Sequence, residues 1–288
     1  MKKAIFIFAC VLLLFVGAYL ISNAGDGEIP LSSEMPPTVA NKIQTKLTRA
    51  EFQVLHYEEL LLLCNEQLLL VNNEHAVPSN ASGNFANVAD YVSASEAFDV
   101  STMDENALVA LRTMFTSAAN AGFDEFYVTQ GFRTQERQYE LYANAADASF
   151  VARPGHSEHQ TGLAADISYR GANIANSQQG TWLANNAHLY GFILRYPAHK
   201  TEITGFPAEP WHFRYVGQPH ANYMHQNDLA LEEYIEHLKS RGEITAAFAG
   251  IVYEIYYFNP GDSIELPHNN SFTSSRDNTG GIIVTVSQ

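Results

Sequence analysis

Cysteine is nearly absent: Cys10 and Cys64 are the only two in 288 residues. A chain this long with so few thiols is not a disulfide-stapled secreted domain. Basic residues are scarce as well, 16 Lys and Arg against 31 Asp and Glu, for a formal net charge of −15. Phosphate binding needs a basic face, so the deficit argues against nucleic acid as a partner. It also suits an anionic membrane surface poorly. Charged residues of all kinds make up 16% while hydrophobic residues make up 46%, which leaves enough apolar material for a sizeable core. Internal repeats and low-complexity tracts are missing.

One long uncharged run is present. Lys2 and Lys3 precede Ala4 to Ile21, a stretch at the lower limit for crossing a bilayer and long for a signal peptide. Ser22-Asn23-Ala24 offers a cleavage pattern. Residues 1–24 are therefore either an uncleaved anchor or a cleaved signal, and in both cases the lysines stay inside and the remainder is exported. Cys10 reads as buried in the membrane, because Phe8 is too large for a lipobox. Residues 25–48, rich in Gly, Ser, Pro, Asn and Thr, read as a stalk. Residues 49–242 read as the main domain, and 243–288 as a small β appendage.

Periodicity supplies the elements. Leu68 to Val71 predicts a strand. Thr102 and Glu105 predict a capping box for a helix carrying Leu108, Leu111, Phe115 and Ala118, ended at Gly122. Strands are predicted at 126–129, 163–168, 191–196 and 211–216. Helices are predicted from Thr134 through Gln138 and Tyr142, over 182–190, and over 229–238. Mixed helices and hairpins without a βαβ rhythm make the class α+β.

Two segments carry chemistry. Ser157-Glu158-His159-Gln160-Thr161-Gly162-Leu163-Ala164-Ala165-Asp166 offers an imidazole and a carboxylate across a glycine turn. Glu209-Pro210-Trp211-His212 offers a second imidazole beside a spare glutamate. Three protein ligands with an open position are the pattern of a catalytic zinc site. A spare carboxylate is what zinc hydrolysis needs to shuttle protons. His159 and Asp166 are the ligands from the first segment, and His212 is the best third ligand. His156 competes as an alternative. Alternation places His212 and Arg214 on one face and Trp211, Phe213 and Tyr215 on the other. The same counting puts Glu209 opposite His212, so Pro210 must mark a bend. Arg133, between a strand and a helix, suits an electrophile that polarises a carbonyl. Gln138 and Ser157 suit contacts to a peptide group.

The chain resembles the zinc D-alanyl-D-alanine carboxypeptidases, the VanY-type enzymes of glycopeptide (vancomycin) resistance in particular. The likeness rests on Gln130-Gly131-Phe132-Arg133-Thr134, on Pro154 through Asp166, on Tyr190 through Pro197, and on Glu209 through Gly217. It implies a small antiparallel sheet with flanking helices, as in Hedgehog and D,D-peptidase domains. It implies one Zn2+ held by His159, Asp166 and His212, with Glu209 as catalytic base. It implies Arg133, Gln138 and Ser157 as substrate contacts, Arg133 also acting in catalysis. The implied reaction is removal of the terminal D-alanine from a peptidoglycan stem pentapeptide, outside the cytoplasm, with the membrane contacted through the N-terminal segment. An L,D-carboxypeptidase acting on tetrapeptides is the alternative within the superfamily. A wall-binding module with an idle zinc site is the alternative from another class, and the intact Glu209 counts against it. Phe132, Thr134 and His156 depart from the frequent residues and bear on fine specificity.

Overall fold

The computed structural model describes residues 52–79, 83–93, 102–170, 173–267 and 271–288. The anchor and the stalk expected from sequence lie outside them. Among the described residues, no helix is long and apolar enough to cross a membrane.

In chain order the strands and helices are β1 (Phe52–His56), α1 (Tyr57–Leu63), β2 (Phe85–Asn87), β3 (Thr102–Asp104), α2 (Glu105–Asn120), β4 (Phe126–Gln130) and α3 (Gln135–Ala143). They continue with β5 (Ala164–Tyr169), α4 (Gln178–Asn186), β6 (Phe192–Tyr196), α5 (Thr201–Thr204), β7 (Glu209–Tyr215), α6 (His220–Gln226) and α7 (Leu231–Arg241). The last are β8 (Glu243–Phe248), β9 (Ile251–Phe258), β10 (Ser263–Pro267), β11 (Phe272–Arg276) and β12 (Ile282–Ser287). The class is α+β, as expected.

A four-stranded antiparallel sheet in the order β4-β5-β7-β6 carries the site. One face buries Val128, Ala165, Ile167, Phe192 and Phe213. Helix α2 covers that face because Ala107, Leu108, Leu111, Met114 and Ala118 recur at helical spacing. Burying one such Phe or Leu contributes about 2 kcal/mol. The other face carries Asp166, His212, Arg214 and Arg195, alternating with the apolar set as a strand requires. A second four-stranded sheet, β11-β12-β9-β8, follows at the C-terminal end. Its Ile244, Ala246, Ile255, Tyr257 and Ile283 share a core with Ile193, Val216, Met224, Leu231, Tyr234 and Leu238.

Two expectations need correction. Leu68 to Val71 is not a strand. It is buried irregular chain, and its backbone finds partners outside any ladder. Leu68 N donates to Ser275 Oγ at 2.9 Å, Leu70 N to Asp277 O at 3.0 Å, and Leu69 O accepts from Arg214 at 2.9 Å. The regular structure of that apolar stretch is α1, just upstream. Thr102 is likewise not the cap of α2; it ends a pairing in which β3 lies against β2. Asp104 caps instead, accepting from Asn106 N at 3.0 Å and Ala107 N at 3.2 Å. A carboxylate one residue before the first helical turn reaches both amides, which Thr102 is too far upstream to do.

Candidate active site

The turn before β5 sets the first ligand. Residues Glu158–Thr161 form one 3-10 turn ended by Gly162 at φ +75°. A Cβ at Gly162 would sit 2.3 Å from the Phe85 ring, so the position demands glycine for both conformation and space. His159 thus faces back toward Asp166, with Nε2 3.4 Å from Oδ1. Asp166 lies directly opposite His212 in the β5–β7 register, and His212 Nδ1 is 3.1 Å from the same oxygen.

The bend expected at Pro210 is a bulge. Leu194 pairs with Phe213, yet Tyr196 pairs with Glu209, so β7 advances four residues where β6 advances two. Such an insertion re-aims side chains. It brings Glu209 Oε2 within 3.7 Å of His212 Nδ1.

The remaining imidazole nitrogens are already occupied. His159 Nδ1 lies 2.8 Å from Gly131 O. His212 Nε2 lies 3.2 Å from Glu158 Oε2. What is left facing inward is His159 Nε2, His212 Nδ1 and an Asp166 oxygen, all within 4.8 Å of one another. Asp166 Oδ1 is buried without a hydrogen bond of ordinary geometry. Two imidazole nitrogens and one hard carboxylate oxygen in this arrangement fit zinc. His156 is turned away, its Nδ1 2.7 Å from Asn72 O.

The electrostatics follow from burial. Asp166 is held well below the usual carboxylate range: burial opposes ionisation, and the two histidines outweigh it. Burial pushes the His159 pKa down. Burial also acts against protonation of His212, but hydrogen bonds to Asp166 and Glu158 lift its pKa to about 9. Glu209 rises to about 7, chiefly through burial and further through Asp166 and Glu158. A carboxyl poised near neutrality suits proton transfer in either direction.

A cavity of about 210 Å3 opens over these groups, lined also by Arg133, Ser157, Phe150, Tyr196, Phe206 and Trp211. Arg133 donates to Gln138 Oε1 at 2.8 Å and to Gln130 Oε1 at 3.0 Å. Its Nε is buried with no partner, and burial lowers its pKa. Gln138 is fully buried and is not part of the cavity lining; its amide nitrogen donates to Ala152 O at 2.6 Å. In this structure its amide braces Arg133. Sequence reasoning missed Glu158 as a participant, together with Arg195 and Arg214, both fully buried. Two arginines at inward positions of apolar strands were the available signal.

Comparison with known proteins agrees with this geometry. The family model described as VanY, D-alanyl-D-alanine carboxypeptidase, matches residues 100–218. A D-alanyl-D-alanine carboxypeptidase of Enterococcus faecium is 38% identical over 175 residues, covering 60% of this chain and 57% of that protein. Putative carboxypeptidase YodJ of Bacillus subtilis (strain 168) is 39% identical over 186 residues, covering 60% of this chain and 68% of that one. Among solved structures, the LdcB LD-carboxypeptidase is 38% identical with a TM-score of 0.54, over 59% of this chain and 86% of that chain. The E175A mutant of the vancomycin resistance D,D-pentapeptidase VanY, in complex with Zn(II), is 34% identical with a TM-score of 0.50, over 59% of this chain and 98% of that chain. With a His-Asp-His cluster, a poised glutamate and near-complete coverage of that peptidase chain, the protein belongs to the VanY family of D-alanyl-D-alanine carboxypeptidases.

Proposed function

We propose that the protein is a zinc-dependent D,D-carboxypeptidase that removes the terminal D-alanine from peptidoglycan stem pentapeptides outside the cytoplasm. The observation that carries the reading is the buried Glu209 carboxyl, 3.7 Å from an inward-facing nitrogen of the His159–Asp166–His212 cluster. Those three residues would hold the zinc, which when bound supplies Lewis acidity toward water and the scissile carbonyl. Glu209 accepts the proton of the attacking water and returns it to the leaving amine. Arg133, which lines the cavity, donates to the carbonyl oxygen as negative charge develops there. Ser157 in the cavity wall meets the peptide, and Gln138 acts by bracing Arg133. A cavity of about 210 Å3 suits a leaving residue as small as alanine.

The test is product mass from defined stem peptides with purified, zinc-loaded protein. Release of one alanine from pentapeptide is expected; Glu209→Gln should lower kcat about 10²- to 10⁴-fold while retaining zinc. No release from pentapeptide would overturn the reading. Likeness to the LdcB LD-carboxypeptidase favours a second reading, cleavage of the L,D bond of a tetrapeptide, and the same assay run on tetrapeptide separates the two. On the first reading, trimming removes the D-Ala-D-Ala end that glycopeptides bind. Deletion of the gene should then raise the pentapeptide fraction and the sensitivity to vancomycin.

A further inference from the structure

The proposed reaction gives no task to Glu158, an acid only 2% exposed. Taking a carboxylate out of water is costly unless its oxygens are fully engaged. Here they are, and unequally. Oε1 accepts from Arg195 Nε at 2.8 Å and from Arg214 Nη1 at 2.8 Å. Oε2 is left for His212 Nε2, at 3.2 Å.

The two arginines are themselves fixed. Arg195 makes a bidentate pair with Glu232 on α7, at 2.8 and 2.6 Å. Arg214 Nη2 donates to the carbonyls of Gln67 at 3.1 Å and Leu69 at 2.9 Å. The carboxylate is therefore clamped from one side and presents a single free acceptor to the imidazole. An acceptor at Nε2 holds a ring proton there, so the nitrogen that gives up its proton to bind a cation is Nδ1, which faces Asp166 and the cation position.

We propose that Glu158 is a positioning residue. Held by Arg195 and Arg214, it fixes His212 in the tautomer and ring orientation that turn Nδ1 to the metal. The inference rests on the reading that His159, Asp166 and His212 bind zinc. A purely structural Glu158, present only to neutralise two buried arginines, would leave metal affinity untouched.

Glu158→Gln discriminates the two. Its amide must either donate to His212 Nε2, which moves the ring proton to Nδ1, or set its N–H groups against those of the arginines. Zinc affinity of the full chain is measured by competition with a chromophoric chelator, and folding of the metal-free forms by circular dichroism. We expect Glu158→Gln to stay folded and to bind zinc about 10- to 100-fold more weakly. Wild-type binding with an unchanged affinity in Glu158→Gln would overturn the inference and leave the metal site standing. Failure of the wild type to bind zinc would overturn the metal site, and this inference with it. Should Glu158→Gln not fold, nitrogen-15 NMR of the zinc-loaded wild type decides. A protonated Nε2 with a metal-bound Nδ1 on His212 is expected, and the reverse pattern would overturn the role.

Discussion

Gly162 shows how much a single position constrains the site. It has φ +75°, and an added Cβ would meet the Phe85 ring at 2.3 Å and Asp104 N at 3.3 Å. The backbone strain alone is worth on the order of 1 kcal/mol or more, and the contact adds to it. Gly162→Ala is expected to lower the urea midpoint and weaken zinc binding together, because the turn aims His159. A folded variant with wild-type zinc affinity would show that the turn tolerates a side chain. At this scale the sequence was most legible for local chemistry. His159, Asp166 and Glu209 stand beside turn or proline signals that announce themselves. Glu158 does not, because its partners Arg195 and Arg214 lie 37 and 56 residues away and only the fold brings them to it.

Among elements, those with regular periodicity were readable and those shaped by tertiary partners were not. Strands β4 to β7 follow alternation apart from the bulge at Glu209 to Phe213, and Thr134 caps α3 by accepting from Arg137 N at 3.2 Å. The chain at Leu68 to Val71 has the composition of a strand but takes its hydrogen bonds from Ser275, Asp277 and Arg214. No local pattern encodes that. The start of α2 was misplaced by two residues because Asp104 and Thr102 both offer a capping oxygen. Asp104→Ala should destabilise the protein by about 1 kcal/mol, measured by chemical denaturation, whereas Thr102→Ala should not cost a helix cap. Equal effects would return the cap to Thr102.

For the molecule as a whole, a buried histidine is one tie between helices α6 and α7 and the C-terminal strands. His220 is 3% exposed, with Nδ1 2.7 Å from the Tyr234 hydroxyl and Nε2 3.1 Å from Thr285 Oγ1. It thereby links α6, α7 and β12. Burial pushes its pKa down to about 3, so it stays neutral in the folded protein while the unfolded chain takes up a proton below about pH 6.5. The unfolded state then binds more protons, and stability falls as pH drops from about 6.5 toward 3. The unfolding constant should gain up to about tenfold per pH unit from this group, and His220→Gln should flatten that slope in melts across the interval. An unchanged slope would assign the acid sensitivity elsewhere.

The direct opposition of Asp166 and His212 across β5 and β7 bears on how this chain can change length. Two ligands on facing strands tolerate no one-residue slip of the β5–β7 pairing. A shift of one residue turns every side chain to the other face, so it would carry one ligand into the apolar layer under α2. The segment from Pro197 to Ala208 joins β6 to β7 without belonging to that register. Variation in length among relatives should therefore collect there, in the segment whose Phe206 lines the cavity, where added residues reshape the cavity without moving the metal ligands.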